Sequence, residues 1–97
     1  MPKLTDKQIE QELEDLPGWE YKDGAISKLY RFKEFRDGIE FVNHISQVAE
    51  LQDHHPDMTI NYTRVGFRCA THSEGGVTDK DIKLAHDIEE AYAEASK

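Results

Sequence analysis

Apolar residues recur along this chain with two different periods, and the switches between them divide it into seven elements. Thr5-x-x-Gln8 is a capping box, in which a hydroxyl and an amide satisfy N–H groups left free at a helix start. Ile9, Leu13 and Leu16 follow at helical spacing, and Pro17-Gly18 stops the helix. Trp19-Glu20-Tyr21-Lys22 reads as a short strand. Asp23-Gly24 signals a tight hairpin, since glycine takes positive φ without penalty. The return strand runs from Ala25 to Phe32, with Ile26, Lys28, Tyr30 and Phe32 on one face at period two. The Lys28 stem can cover apolar surface there. A long helix is predicted from about Phe35 to Gln52, on the stripe Phe35, Ile39, Val42, Ile45, Val48, Ala49 and Gln52. His54-His55-Pro56 ends it, because the residue before proline is pushed out of the α region. Met58, Ile60 and Tyr62 alternate with polar residues in a third strand, and Val65, Phe67 and Cys69 do so in a fourth. No turn chemistry marks the connection, which is placed near Tyr62 to Val65, with Tyr62 itself expected in the core. His72-Ser73-Glu74-Gly75-Gly76 is a loop. Thr78-x-x-Asp81 is a second capping box, opening a last helix whose buried stripe is Ile82, Ala85, Ile88 or Glu89, and Tyr92.

The order helix, two strands, helix, two strands, helix predicts an α+β fold. Its four-stranded antiparallel sheet would carry three helices packed on one face. A length of 97 residues makes this a single domain spanning 1–97, with a modest core. The net charge of −8 argues against a nucleic-acid surface, which needs a basic patch, and against anionic membranes. No apolar run approaches the length of a spanning helix, and the first residues contain no apolar signal region. The single cysteine, Cys69, leaves no internal disulfide and no multi-cysteine zinc knuckle; alternating with Phe67, it reads as a small buried apolar residue. A cytoplasmic protein is the simplest reading.

The candidate chemistry lies between Glu50 and Asp81, which hold three of the five histidines. Histidine gives or takes a proton near neutral pH, so a cluster suggests proton transfer or metal binding. His54 and His55 sit where the long helix gives way to a strand, and His72 lies just past the fourth strand. Their bland alternatives are a favourable interaction with the helix dipole and a solvated loop. Glu50 and Asp53 lead into His54, and either carboxylate could hydrogen-bond a histidine nitrogen and fix its tautomer. At a helix C-terminus they need such a reason, being at the negative end of the dipole. Asp81 could be no more than the third residue of its capping box, and Trp19 either core or a pocket wall. His44 and His86 read as helix-surface residues without a role. A zinc site is the weaker alternative: neighbouring His54 and His55 diverge, and no His-Glu-x-x-His or Cys-x-x-Cys is present. No phosphate-binding loop or nucleophile elbow appears.

Glu50-x3-His54-His55-Pro56-x5-Tyr62-x9-His72-x8-Asp81 resembles the signature of the pterin-4a-carbinolamine dehydratases. Gly18-Trp19, the stretch from Ala25-Ile26 to Phe35, Thr71-His72 and Asp81-Ile82-Lys83-Leu84-Ala85 are also similar to that family, so the likeness covers nearly the whole chain. The resemblance implies the same four-stranded, three-helix fold. It implies dehydration of a 4a-hydroxytetrahydropterin to quinonoid dihydropterin and water, by a general acid and a general base, with no metal and no cofactor. By carry-over His54 and His72 are the acid–base pair, and His55 holds or orients the substrate. Glu50 and Asp53 set the histidine tautomers, and Trp19, Thr71 and Asp81 contribute to the substrate site. The expected partners are a small pterin and, by family habit, further copies of the chain in a homo-dimer or homo-tetramer. The alternative is a non-enzymatic dimerisation or assembly module, since animal relatives also serve as dimerisation cofactors of a transcription factor. A costly cluster of three histidines favours the enzyme.

Overall fold

A computed structural model describes residues 2–95 of the chain. In chain order it contains α1 (Asp6–Leu13), β1 (Glu20–Lys22), β2 (Ala25–Arg31), α2 (Phe35–Gln52), β3 (Asp57–Asn61), β4 (Arg64–Cys69), a 3-10 turn (His72–Glu74) and α3 (Asp79–Ala95). The expected α+β order is therefore the one adopted. The four strands form one antiparallel sheet in the order β1-β2-β4-β3. No helix among the described residues is long and apolar enough to cross a membrane.

Local chemistry sets most element ends. At α1 the Gln8 N–H donates to the Thr5 hydroxyl at 3.1 Å and the Thr5 N–H to the Gln8 side chain at 2.9 Å, completing the capping box. Asp23 (φ 52°) and Gly24 (φ 77°) both occupy the left-handed region, the requirement of a two-residue hairpin that follows the twist of its strands. The second hairpin reverses at Tyr62-Thr63, between the paired residues Asn61 and Arg64. Tyr62 sits at φ 54° and is 73% exposed, so it is a turn residue and not part of the core. The alternation that suggested burial runs unbroken into the turn, and neither Tyr62 nor Thr63 carries a turn signal.

One face of the sheet is covered and the other is open. Ile26, Tyr30, Val65, Phe67 and Cys69 are buried on the covered face, while Leu29, Arg31, Arg64 and Arg68 alternate with them and are exposed. The helices supply the rest of one continuous core, including Ile9, Phe41, Ile45, Ile82, Leu84, Ala85 and Ile88. Each of the larger side chains among them contributes about 1.5–3 kcal/mol when removed from water. The buried stripe of α2 differs in part from the expected one. Ile45 and Ala49 are in it, but Gly38 and Phe41 complete it and Phe35 is 50% exposed. Phe41 is drawn inward by aromatic neighbours, with ring centroids 5.8 Å from Phe67 and 5.9 Å from Tyr30. Gly38 permits the close approach of α2 to the sheet, for a Cβ there would lie 3.1 Å from a Val65 methyl.

Candidate active site

The end of α2 is shaped by its backbone. Asp53 adopts φ 50°, the left-handed conformation usually left to glycine. Its N–H donates to the Glu50 carbonyl at 3.2 Å, and the His54 N–H to the Ala49 carbonyl at 3.0 Å. This pair of bonds is a Schellman closure, and it folds His54 back against the helix it has just left. Pro56 then starts the chain toward β3. Asp53 thus serves the main chain, and the carboxylates on the imidazoles belong to other residues.

His54 Nε2 lies 2.5 Å from Asp81 Oδ1. The Asp81 side chain is fully buried and that of His54 is 11% exposed. The other Asp81 oxygen accepts from the Thr71 hydroxyl at 2.8 Å and from the Thr78 N–H at 2.9 Å. Thr71 and Thr78 share a hydroxyl–hydroxyl bond of 2.8 Å, and the Lys80 N–H donates to the Thr78 hydroxyl at 3.2 Å. Asp81 is therefore the capping residue that its position suggested and also the partner of His54. A buried carboxylate is tolerable because every lone-pair direction in use meets a donor. Its demand for a proton on Nε2 fixes the imidazole tautomer, leaving Nδ1 as the nitrogen free to do chemistry.

The same network anchors His72. Thr71 pairs with Gly76 through bonds of 2.8 and 3.4 Å, closing the loop that carries the 3-10 turn. The Leu4 N–H donates to the Val77 carbonyl at 2.7 Å and braces that loop from the N-terminal segment. His72 is exposed on the turn, one residue from Thr71, and no hydrogen bond ties its ring to the other site residues described. His55 Nε2 hydrogen-bonds the Glu50 carboxylate in a solvent-facing pair, 57% and 74% exposed. His54, Asp81, Thr71 and Thr78 are joined, then, and His55 with Glu50 forms a second, exposed unit beside them. His44 and His86 are on the helix surface, as expected. Among the described residues no group of three or more His, Cys, Asp or Glu is placed to hold a metal ion.

Trp19 is drawn into a different cluster. Its indole N–H donates to Glu89 Oε1 at 3.2 Å, and the same oxygen accepts from Lys28 and from the Tyr30 hydroxyl, each at 2.5 Å. Burial alone would raise the Glu89 pKa, but hydrogen bonds from Lys28 and Tyr30 and the Lys28 charge outweigh it and hold the carboxyl below its ordinary value. Burial, then the nearby Glu89 carboxylate, push the Tyr30 phenol up. Burial first, then the Asp81 charge, push the Cys69 thiol up, which keeps it an unreactive core residue. Sequence reasoning missed this cluster and the part played by Thr78. The one signal was a lysine on the apolar face of β2, which calls for an anion opposite.

A small α+β layer that seats an imidazole on a buried carboxylate at its helix–strand junction has the make-up of a proton-transfer site. The chain belongs to the pterin 4 alpha carbinolamine dehydratase family, whose model matches residues 2–91. It is 48% identical over 89 residues to a protein of Mycolicibacterium vanbaalenii, covering 92% of this chain and 96% of that one. It is 43% identical over 86 residues to one from Sulfolobus acidocaldarius, covering 89% and 94%. Both bear the provisional name pterin-4-alpha-carbinolamine dehydratase. The crystal structure of a transcriptional coactivator/pterin dehydratase from Brucella melitensis superposes with a TM-score of 0.88 at 37% identity, covering 92% of this chain and 97% of that one. A pterin dehydratase-like protein described as a RuBisCO assembly factor in the alpha-carboxysome shares the fold alone, with a TM-score of 0.62 at 14% identity, covering 75% and 84%.

Proposed function

We propose that the chain is a hydro-lyase that dehydrates a 4a-hydroxytetrahydropterin to quinonoid dihydropterin. The observation that carries this reading is the His54–Asp81 bond, with the carboxylate fully buried. In the reaction the bond between C4a and its hydroxyl breaks. The hydroxyl leaves as water with a proton from a general acid. The adjacent ring nitrogen supplies the electrons for the new C=N bond, and a base takes the proton from that nitrogen. His54 and His72 form this acid–base pair. Asp81 keeps Nε2 of His54 occupied, so Nδ1 faces the substrate, and its charge stabilises the imidazolium whenever His54 holds both protons. His55, with Glu50 behind it, orients the pterin from the solvent side. The family relation supports the substrate class, and the three histidines needed for the chemistry are all present.

The test is stopped-flow dehydration of freshly generated 4a-hydroxytetrahydropterin. Fast loss of the carbinolamine that collapses in His54→Ala and His72→Ala bears the reading out, and a wild-type rate no faster than buffer overturns it. The working unit is a homo-dimer or homo-tetramer. β3 is an edge strand, with Ile60 on it and Tyr62 just past it 45% and 73% exposed, and at the two ends of α2 Phe35 and Leu51 are 50% and 89% exposed. An edge with open N–H and C=O groups invites pairing with another copy. Sedimentation as a monomer across micromolar concentrations overturns that part.

A further inference from the structure

The two histidines of the proposed acid–base pair are held in different ways. His54 is fixed by its ring, through Asp81. Among the described residues no carboxylate holds the exposed ring of His72, so its place is set by its backbone. That backbone is a single 3-10 turn. Its bonds, Glu74 N–H to the Thr71 carbonyl at 3.0 Å and Gly75 N–H to the His72 carbonyl at 3.1 Å, lie within the loop. They shape the turn without orienting it on the rest of the molecule. Orientation comes from the two limbs at its base. The outgoing limb is pinned by the Thr71 hydroxyl on Asp81. The return limb, Gly76 and Val77, meets the N-terminal segment. There the Leu4 N–H donates to the Val77 carbonyl at 2.7 Å. The aliphatic stem of Lys3 lies over Gly76, where a Cβ would come within 3.3 Å of it. Local chemistry aims this segment. Thr5 caps α1, which puts Leu4 and Ile9 at the two positions of a hydrophobic staple, and both side chains join the core.

We propose that residues 3–5 are a strap that positions His72, and that the Leu4 N–H is the group through which the strap acts. The inference rests on the reading of His72 as a member of the acid–base pair. With the strap released, Thr71 stays pinned while the return limb is free to shift, and the His72 ring swings with it. Proton transfer requires hydrogen-bond reach of the reacting atom, so a small displacement of the ring costs rate steeply. Substrate binding, which falls to other groups, changes little. One hydrogen bond close to a chain end also adds little to global stability, so its loss is felt in the loop and not in the fold.

The test compares Leu4→Pro, which has no N–H to donate, with Leu4→Ala, which keeps the N–H and loses packing. Both are made in the full chain. Leu4→Pro should lower kcat per folded molecule by about 10–100-fold while KM moves little. Leu4→Ala should lower Tm at least as much, yet keep a rate several times that of Leu4→Pro. In a His72→Ala background the proline change should cost less than about threefold, since the group it positions is gone. Amide exchange of the wild-type protein is the second measurement, and it needs no substrate. The Leu4, Thr71 and Gly75 amides should be protected together, as one unit. The proposal is overturned by equal rates in the two Leu4 variants, or by a full-sized loss in the His72→Ala background. It is overturned as well by a Leu4 amide that exchanges freely while Thr71 stays protected, and this result decides alone if Leu4→Pro does not fold. A wild-type rate no faster than buffer would overturn the dehydratase reading instead, and the exchange pattern would still judge the strap.

Discussion

Two of the carboxylates of helix α3, Asp81 and Glu89, lie two helical turns apart and are handled in different ways. Asp81 is fully buried, and one of its oxygens faces His54 while the other takes fixed donors from Thr71 and Thr78. Glu89 gathers Lys28, Tyr30 and Trp19 on a single oxygen, at a site where Lys28 and Glu89 remain 20% and 25% exposed. Three donors around Glu89 are committed to the fold. Asp81 spends one oxygen on a group that can gain and lose a proton and that keeps a second nitrogen free. The same physical device, a carboxylate compensated by hydrogen bonds, is thus a staple in one place and, in the proposed reaction, the support of the reacting group in the other. The difference lies in what the donors can do next.

The sharpest way to break this contrast is to remove the imidazole. His54→Ala should cut turnover by about 10²–10⁴, the usual worth of general acid–base catalysis, with the fold intact by circular dichroism. Unchanged turnover would leave Asp81 as a structural residue like Glu89. Asp81→Asn should come next, losing about 10–100-fold by the precedent of carboxylates that orient an imidazole. Its amide can still accept from Thr71 through its oxygen, so the more telling readout is how the loss divides between turnover and stability. A lower Tm with an unchanged rate per folded molecule would mean that Asp81 matters only as a cap.

Glu89→Gln should show the reverse pattern. All three of its partners lose a charged acceptor, and stability should fall by about 1–2 kcal/mol, at the lower end because solvent screens the cluster. The rate per folded molecule should stay within twofold of wild type. Acid titration sharpens the point. The Glu89 pKa is held below its ordinary 4.5, so its contribution to stability is complete above that value. It is lost as pH falls through the lower folded value. Urea midpoints measured from pH 6 to pH 2 should therefore drop more steeply in the wild type than in Glu89→Gln. Parallel curves would show that the cluster contributes nothing measurable.

Much of this was legible in the sequence, and the exceptions have physical causes. The first capping box, the Thr78–Asp81 start of α3, the Asp23-Gly24 hairpin and the span of α2 were readable because each is local chemistry. The second hairpin was placed near Tyr62 to Val65, where it is, but its turn residue was taken for core, since a tyrosine forced to positive φ leaves no trace in composition. The Gly38–Phe41–Ile45–Ala49 face was only half read, because which of two adjacent stripes is buried depends on the aromatic ring waiting across the interface. At the site, the histidines and Glu50 stood out by type and spacing. The exchange of roles between Asp53 and Asp81 did not: it depends on a left-handed helix end that turns Asp53 to backbone duty, and on the packing of α3 beside α2, which brings Asp81 to His54. Long-range carboxylate pairing, here as with Lys28 and Glu89, is what a linear pattern contains least of.

The smallest expected effect tests the exposed end of the comparison. His55 and Glu50 make the same kind of imidazole–carboxylate bond as His54 and Asp81, but more than half of each side chain faces solvent. An exposed pair of this sort is worth about 0–1 kcal/mol and exchanges with water readily. Glu50→Gln should consequently change turnover less than about fivefold and leave stability within error. His55→Ala should raise KM more than it lowers kcat, since an imidazole that orients substrate contributes alike to ground and transition states. Steady-state rates against pterin concentration separate these outcomes. A collapse of kcat in His55→Ala would move the reacting nitrogen from the buried pair to the exposed one. Burial of the carboxylate would then no longer be what distinguishes a reactive imidazole from a supporting one in this fold.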